Sequence, residues 1–319
     1  MRLFLSLLVA VALWASAHAA SVTDATGRTV TVPDHPARII PAGPPAAVLL
    51  AALAPDLMVG FPSAVSTEAR AFLAPAAAEL PAIPRLTGRI DVAEDLAALH
   101  PDLILDYGDV TPRYTKAIEA VQERLNVPAI LLDGRLEATP AALRQAGHLL
   151  HREDRAEALA QVAETLLALP PRPMRTVVYA RGADGRLVAA PGTESSAALE
   201  RVGWRVLAPE GQGWFRTAEI RQIAALDPDV IIFSDPAMED VLKRPGPWTA
   251  VRAVRLGHAY VAPALPFGWI EEPPSINRLL GLAWLHGGQG PVAGGVLQAL
   301  IYGRVLPPEA LASLPASPP

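Results

Sequence analysis

The sequence lacks cysteine in all of its 319 residues. This absence excludes a disulfide framework, a thiolate metal site and a cysteine nucleophile, and it leaves no cysteine to carry a lipid anchor. Charged residues are also scarce, at 18%, and acids outnumber bases to give a net charge of −5. The chain therefore lacks the basic surface by which nucleic-acid-binding proteins are recognised.

The sequence also lacks the short motifs of the common hydrolase and nucleotide-binding sites. It has no G-x-S-x-G, H-E-x-x-H or G-x-x-x-x-G-K, and no G-x-G-x-x-G after a strand. Asp106 and Asp235 follow two apolar strands and resemble a carboxylate pair, but no activated nucleophile accompanies them. We therefore predict no catalytic residue and no enzyme, and a periplasmic hydrolase stays a remote alternative. No cluster of His and carboxylates predicts a directly bound metal or a cofactor.

The N-terminal residues have the pattern of a secretory signal. Arg2 precedes an apolar run, Leu3–Trp14, and Ala17–Ala19 has the small-x-small pattern of a cleavage site. We predict a cleaved signal peptide at 1–19 and a periplasmic location, with an uncleaved anchor as the alternative. The run is too short for a comfortable transmembrane helix.

A twelve-residue pattern occurs twice, at Asp95–Asp106 and Gln222–Phe233. Six of the twelve positions are identical, and each copy reads as a short helix, a proline and an apolar strand. The residue before a proline is disfavoured in the α region, which ends the helix. An almost wholly apolar strand is typical of a parallel sheet that is covered on both faces. The repeat predicts two related α/β lobes.

The rest of the chain fits this division. Strands alternate with helices, which indicates βαβ units. A long helix at Glu153–Leu169 separates the two halves. We predict an N-terminal α/β lobe at 20–150, a linking helix at 151–172, a C-terminal α/β lobe at 173–304 and a disordered tail at 305–319.

Seven segments along the chain match one family by their order and spacing. They are Val22–Val32, Pro36–Ile40, Leu57–Gly60, Leu96–Leu105, Ile223–Ile232, Trp248–Val254 and His258–Val261. Together they resemble the periplasmic metal-chelate binding proteins of ABC importers, a family that serves iron–siderophore, haem, cobalamin and some oxyanion uptake. The resemblance implies two Rossmann-like lobes with parallel sheets, one long joining helix and a ligand cleft between the lobes. It also implies ABC permease and ATPase partners at the inner membrane, and we expect a monomer.

A further segment narrows the resemblance to a subgroup. Pro266–Ser275 followed by Asn277–Leu285 resembles a subgroup that includes molybdate and tungstate binders and proteins for iron complexes. We predict that the protein delivers a metal chelate, such as a ferric siderophore or haem, to an ABC importer. The alternative is a molybdate or tungstate receptor.

Candidate ligand residues are chosen by position, since ligands of open α/β sheets bind beyond the carboxyl ends of the strands. Glycine allows close backbone approach, arginine binds anions through a fork, and aromatic rings cover organic groups. Arg89 is placed near these loops by the family resemblance only. Trp214, Arg216 and Trp269 are added because their loops offer glycine beside aromatic or arginine side chains. The candidates are Gly43, Pro44, Phe61, Arg89, Tyr107, Arg181, Trp214, Arg216, Ser234 and Trp269.

The resemblance also implies one permease-docking acid in each lobe, seven residues before the proline of the repeat. Glu94 matches this position in the first copy, but the second copy has Arg221 there. Glu219, two residues earlier, is the candidate substitute. We therefore predict docking through Glu94 and Glu219.

Overall fold

The computed structural model describes residues 19–86, 92–287, 291–307 and 315–318. Arg89 and all but the last residue of the expected signal peptide lie outside these ranges. In the described part, no helix combines the length and apolarity needed to cross a membrane.

The described part of the chain starts with a hairpin of β1 (Ala19–Thr23) and β2 (Thr29–Pro33). Asp24 closes the turn, because its carboxylate accepts hydrogen bonds from the backbone of Thr26 and the guanidinium of Arg28. Arg28 also donates to the carbonyl of Ala129 at 3.1 Å, which fixes the hairpin to the first lobe.

The N-terminal lobe is built on a three-stranded parallel sheet in the order β3–β4–β5. Its strands are β3 (Ile39–Pro41), β4 (Leu103–Gly108) and β5 (Ala129–Asp133). Its helices are α1 (Pro44–Leu53), α2 (Thr67–Arg70), α3 (Pro75–Ala78), α4 (Ala93–Ala97) and α5 (Pro112–Leu125). A single parallel bridge joins Met58 to Ile39 beside this sheet.

Two packed helices, α6 (Thr139–Leu149) and α7 (Glu153–Leu167), follow the first sheet. Fifteen residues give α7 a length of about 22 Å. Gly147 makes close packing possible, since a Cβ there would lie 2.2 Å from the Cβ of Ala156. α7 ends at Leu167, and eight residues separate it from the first strand of the second sheet, which begins at Thr176.

The C-terminal lobe contains a six-stranded sheet in the order β11–β10–β6–β7–β9, with β8 also paired to β6. Its strands are β6 (Thr176–Arg181), β7 (Leu187–Ala189), β8 (Arg205–Val206), β9 (Phe215–Thr217), β10 (Val230–Phe233) and β11 (Ala259–Val261). This sheet is mixed, because the turn at Gly182–Gly185 reverses the chain and makes β7 and β9 antiparallel to their neighbours.

The helices of this lobe are α8 (Ala197–Arg201), α9 (Ile220–Ala225), α10 (Met238–Leu242), α11 (Arg252–Arg255), α12 (Arg278–Leu285) and α13 (Pro291–Tyr302). The expected disordered tail does not fit the described residues at its ends. Leu306 is buried, and the carbonyls of Pro315 and Pro318 accept hydrogen bonds from Trp284 and Arg172.

The two copies of the repeat have the same backbone at their first turn. The residues before the prolines, His100 and Asp227, have φ angles of 48° and 45°. This left-handed region is several-fold enriched in His, Asp and Asn among non-glycine residues. Each copy therefore leaves its helix through the same sharp reversal into the strand.

The aspartates that follow the prolines, Asp102 and Asp229, make equivalent hydrogen bonds in the two lobes. Asp102 accepts hydrogen bonds from the backbone N–H groups of Ala37 and Arg38, at 2.8 and 3.0 Å. Asp229 accepts from the N–H and the hydroxyl of Thr176, at 2.9 and 2.8 Å. Each carboxylate thus fixes the start of the repeat strand to the neighbouring strand.

Candidate ligand-binding cleft

A cavity of about 500 Å³ lies between the two lobes, at the carboxyl ends of β3, β4, β5 and β6. The N-terminal lobe contributes Gly43, Pro44, Pro45, Arg85, Tyr107, Gly108, Asp109, Tyr114 and Gly134. The C-terminal lobe contributes Arg181, Glu194, Trp214, Glu271, Glu272, Pro273 and Pro274. The strand-end rule thus places the cavity in the correct part of the fold.

Two glycines, Gly108 and Gly134, allow close packing at the floor of the cleft. A Cβ on Gly134 would lie 2.7 Å from the Cα of Gly108, so a side chain here would separate the ends of β4 and β5. A Cβ on Gly108 would lie 2.9 Å from the hydroxyl oxygen of Tyr114. The absence of side chains therefore allows the Tyr114 ring to cross the end of β4.

Arg181 lies at the side of the cleft in a cluster with two acids. Its Nε is 3.3 Å from Oε1 of Glu271 and forms an ion pair with Glu272. The guanidinium also lies over the ring of Phe215, 4.6 Å from the ring centroid. Arg181 is therefore held in place, and most of its charge is balanced before a ligand arrives.

Glu271 is a buried acid on this wall, with only 1% of its surface exposed. Burial raises the pKa of Glu271 to about 7, although the nearby Arg181 opposes the shift. The hydroxyls of Tyr179 and Ser195 each donate a long hydrogen bond of 3.4 Å to its carboxylate. The charge of this wall therefore depends on pH near neutrality.

Arg278 is fully buried and joins the two lobes behind the cleft. Its guanidinium forms an ion pair with Glu194 and donates to the carbonyls of Gly134 at 2.6 Å and Ser275 at 3.1 Å. The hydroxyl of Ser275 donates to the carbonyl of Pro45 at 2.7 Å. Burial raises the pKa of Glu194, and Arg278 opposes that shift.

Asp106 lies beneath the cleft at the end of the first repeat and is 4% exposed. Burial raises its pKa to about 6, while a hydrogen bond from the backbone of Tyr107 and the charge of Arg85 act in the opposite direction. Burial is also the main cause of the raised pKa of Tyr114. Burial therefore favours the uncharged, protonated forms of both side chains.

Five predicted ligand residues line the cleft, and two more cannot be placed in it. Arg89 lies outside the described residues, and Phe61 lies in a neighbouring recess. Tyr107 lines the cleft, but its ring is fully buried and its hydroxyl lies 3.3 Å from that of Thr139. The five are Gly43, Pro44, Tyr107, Arg181 and Trp214.

Three predicted ligand residues do not line the cleft. Trp269 is 2% exposed and donates from Nε1 to the carbonyl of Leu265, so it belongs to the core. Arg216 donates to the carbonyl of Pro209 at 2.5 Å and remains within its own lobe. Ser234 is buried at the end of β10. A glycine precedes both Trp214, which lines the cleft, and Trp269, which packs in the core.

Sequence reasoning missed most of the charged residues of the site. These residues come from loops and from two helices, α5 and α12, whose positions depend on the whole fold. The one local indication was Glu271–Pro274, two acids before two prolines within an otherwise apolar segment. The missed residues are Arg85, Asp109, Tyr114, Glu194, Glu271, Glu272 and Arg278.

The two candidate docking acids differ in their surroundings. Glu94 is exposed in the first turn of α4. Glu219 precedes α9 and forms an ion pair with Arg186, while its backbone N–H donates to the side chain of Gln222 at 2.8 Å. Glu219 is therefore already engaged within its own lobe. Across the described ranges, no group of three or more His, Asp or Glu residues is arranged to hold a metal ion.

Comparison with known proteins gives a family and a set of similar structures. A family model described as "Periplasmic binding protein" matches residues 43–265. An ABC transporter solute-binding protein from Sulfurospirillum deleyianum is 25% identical, with a TM-score of 0.80, and the match covers 92% of this chain and 98% of that one. No curated protein matches the chain.

Two less similar structures share the fold. The molybdate-binding protein MolA of Haemophilus influenzae, solved with molybdate, is 17% identical with a TM-score of 0.66, covering 90% of this chain and 99% of that one. A protein of an Fe³⁺-hydroxamate transport system from Saccharomonospora viridis is 21% identical with a TM-score of 0.58, covering 84% and 97%. These identities support likeness of fold alone.

Proposed function

The chain belongs to the periplasmic binding protein family, and from that premise we propose that it binds a metal chelate in the periplasm and delivers it to an ABC importer. The chelate we propose is an iron complex, such as a ferric siderophore or haem. Binding is reversible and involves no turnover, so the protein acts as a receptor and not as an enzyme.

The balance of charge in the cleft carries this proposal. The described lining contains two guanidiniums, Arg85 and Arg181, and four carboxylates, Asp109, Glu194, Glu271 and Glu272. Arg181 is paired with two of these acids, and Arg278, which lies behind the cleft, is paired with Glu194. With Arg278 included, the described groups number three guanidiniums against four carboxylates. A free dianion would meet more negative than positive charge here, whereas a neutral or cationic chelate would not.

The size of the cleft supports the same ligand class. Sites for small organic ligands have volumes of about 300–1,000 Å³, and a water molecule takes about 30 Å³. A single oxyanion would leave most of a 500 Å³ cavity unfilled. Trp214 adds an aromatic surface that is 43% exposed and available to cover an organic group.

A molybdate or tungstate oxyanion is the second candidate. It is favoured by the likeness of fold to a molybdate-binding protein and by the guanidiniums of Arg85 and Arg181 on opposite lobes. The predicted ligand residue Arg89 would add a third positive charge. If the ligand is an oxyanion, the positive charge of Arg89 must help to compensate for the four acids that line the cleft.

A thermal-shift screen distinguishes these ligands. The purified protein is heated with ferric hydroxamates, haem, cobalamin, molybdate and tungstate. A ligand at 100 times its Kd stabilises the folded state by about 2.7 kcal/mol, which raises the melting temperature by several degrees. We expect a ferric chelate to give the largest shift. A shift with the oxyanions alone would contradict the choice of a chelate.

Transport supplies the second part of the test. We propose that the loaded protein contacts a permease through the exposed Glu94, with Glu219 as the candidate in the other lobe. Deleting the permease that this protein serves should abolish uptake of the ligand but leave its binding to the purified protein unchanged. Uptake that survives this deletion would argue for a receptor with another partner.

A further inference from the structure

A second cavity of about 300 Å³ opens beside the cleft, towards the N-terminal lobe. We call it the side recess. Pro44, Glu272 and Pro273 line both cavities, so the two spaces adjoin at these residues. One ligand of sufficient length can therefore occupy the cleft and the side recess together.

The walls of the side recess are mainly apolar. They come from α1, from the loop before α2 and from the loop that follows β11. Phe61 and Phe267 lie near each other, with ring centroids 6.2 Å apart. The main apolar side chains are those of Ala47, Val48, Phe61, Val65, Leu265 and Phe267.

Part of this apolar surface still faces water. Val48 and Phe61 are buried at the base, but Val65, Leu265 and Phe267 are only partly buried. Apolar surface that lines a concave site is a common place for an apolar ligand group, because burial removes it from water.

The polar side chains that line the recess in the described structure are those of Ser63, Ser66 and Glu272. The two serines carry no charge that would attract an ionic group. The hydroxyl of Ser66 accepts a hydrogen bond from the N–H of Ala69 at 3.1 Å, which caps α2. Glu272 is the charged residue that lines the recess in the described structure, and it is paired with Arg181 at the junction with the cleft. Charge is thus confined to the cleft side.

We propose that the ligand is amphipathic, with its metal-bearing polar part in the cleft and an apolar arm in the side recess. This inference rests on the proposed function, and it adds that the chelate carries an alkyl or aromatic substituent. A bare oxyanion and a chelate with only small substituents would both leave the recess unoccupied.

Two ferric complexes of equal charge test the inference. Three hydroxamates balance the charge of Fe³⁺, so ferric tris(acetohydroxamate) and ferric tris(benzohydroxamate) are both neutral and differ in methyl against phenyl groups. Their affinities are measured by isothermal titration calorimetry, with molybdate as a third probe. We expect the phenyl complex to bind at least tenfold more tightly.

Substitutions in the side recess test whether the phenyl groups bind there. Ala64→Trp fills the recess from its exposed rim, and Val65→Asp places a charge in its wall. Each should reduce the phenyl advantage to less than threefold while leaving the affinity for the methyl complex unchanged. Ala97→Trp is the matched control, since Ala97 is exposed and lines neither cavity. Melting curves establish that each variant folds.

The possible failures are distinguishable. Equal binding of both ferric complexes would overturn the apolar arm but leave the proposed function standing. A phenyl advantage that persists in both recess variants would also overturn the inference, because the phenyl group would then bind elsewhere. Failure of both ferric complexes to bind would overturn the inference, and if haem also fails to bind in the thermal-shift screen, the proposed function is contradicted as well.

Discussion

The two copies of the repeat agree at one end of their strands and differ at the other. At the end away from the cleft, both have a left-handed residue, a proline and an aspartate that fixes the neighbouring strand. At the cleft end, the first copy has Asp106 where the second has Phe233. The repeated part builds the sheets, and in the first copy the part that differs lies beneath the candidate cleft, whereas in the second copy it packs in the core.

Asp106 and Phe233 occupy equivalent positions but have different surroundings. Phe233 is fully buried and packs edge-on against Trp248, with ring centroids 4.9 Å apart. Asp106 is buried almost as completely, yet it is an ionisable group close to the cleft floor. The same strand position therefore provides packing in one lobe and a titratable group in the other.

The largest expected effect comes from the shared part of the repeat. Ile104→Ala and Ile231→Ala remove equivalent, fully buried side chains from the two sheets. Each should lower the free energy of unfolding by about 2–5 kcal/mol, since both leave a cavity. Urea denaturation measures this, with the exposed Leu256→Ala as control. A loss below 1 kcal/mol in one copy alone would break the equivalence.

Asp106→Asn tests the position at which the copies differ. Because the folded pKa is raised to about 6, stability falls as pH rises from about 4 through 6. Two pKa units correspond to about 3 kcal/mol, so Asn should stabilise the protein by up to that amount at pH 8.

The effect of Asp106→Asn should vanish below about pH 4, where Asp106 is protonated in both the folded and the unfolded chain. Thermal or urea unfolding at a series of pH values gives this profile. A variant that is less stable than the wild type at pH 8 would show that the carboxylate is held in its charged form.

The two aspartates that follow the prolines should have similar, smaller effects. Asp102→Ala and Asp229→Ala each remove two hydrogen bonds to a neighbouring strand. We expect each to cost about 1–2 kcal/mol in urea denaturation. Asp240→Ala is the control, since that side chain is 73% exposed and pairs with Lys243. If only one of the two substitutions lowers the free energy of unfolding, the two aspartates are not equivalent.

The smallest expected difference concerns docking. Glu94→Ala should reduce uptake several-fold without changing ligand affinity, because Glu94 is exposed. Glu219→Ala should have less effect on uptake, because its carboxylate is already paired with Arg186. Uptake by cells carrying each variant measures this. Equal losses of uptake would mean that the ion pair opens on docking.

The sequence was most informative where the structure is local. The apolar strands and their prolines predict β4 and β10, and Ser66 and Thr111 cap α2 and α5 through their side chains. The edge strands β9 and β11 are only three residues long and carry too weak a pattern.

The site was less predictable because its charged residues come from distant parts of the chain. Arg278 bonds to the carbonyl of Gly134, 144 residues earlier, and no local pattern indicates that contact. Arg181 and Trp214 were identified by their loops, but Trp269 in a similar loop is buried. Residue type and strand-end position therefore predict the region of the site better than its members.

Hydrogen–deuterium exchange with and without ferric tris(benzohydroxamate) tests the central claim most directly. If the ligand binds where the copies differ, amides at 107–114, 134 and 267–272 should exchange more slowly when it is bound. Amides at the opposite strand ends, 99–103 and 226–230, should be unchanged. Protection at those opposite ends, or none in the cleft despite saturating ligand, would contradict this account.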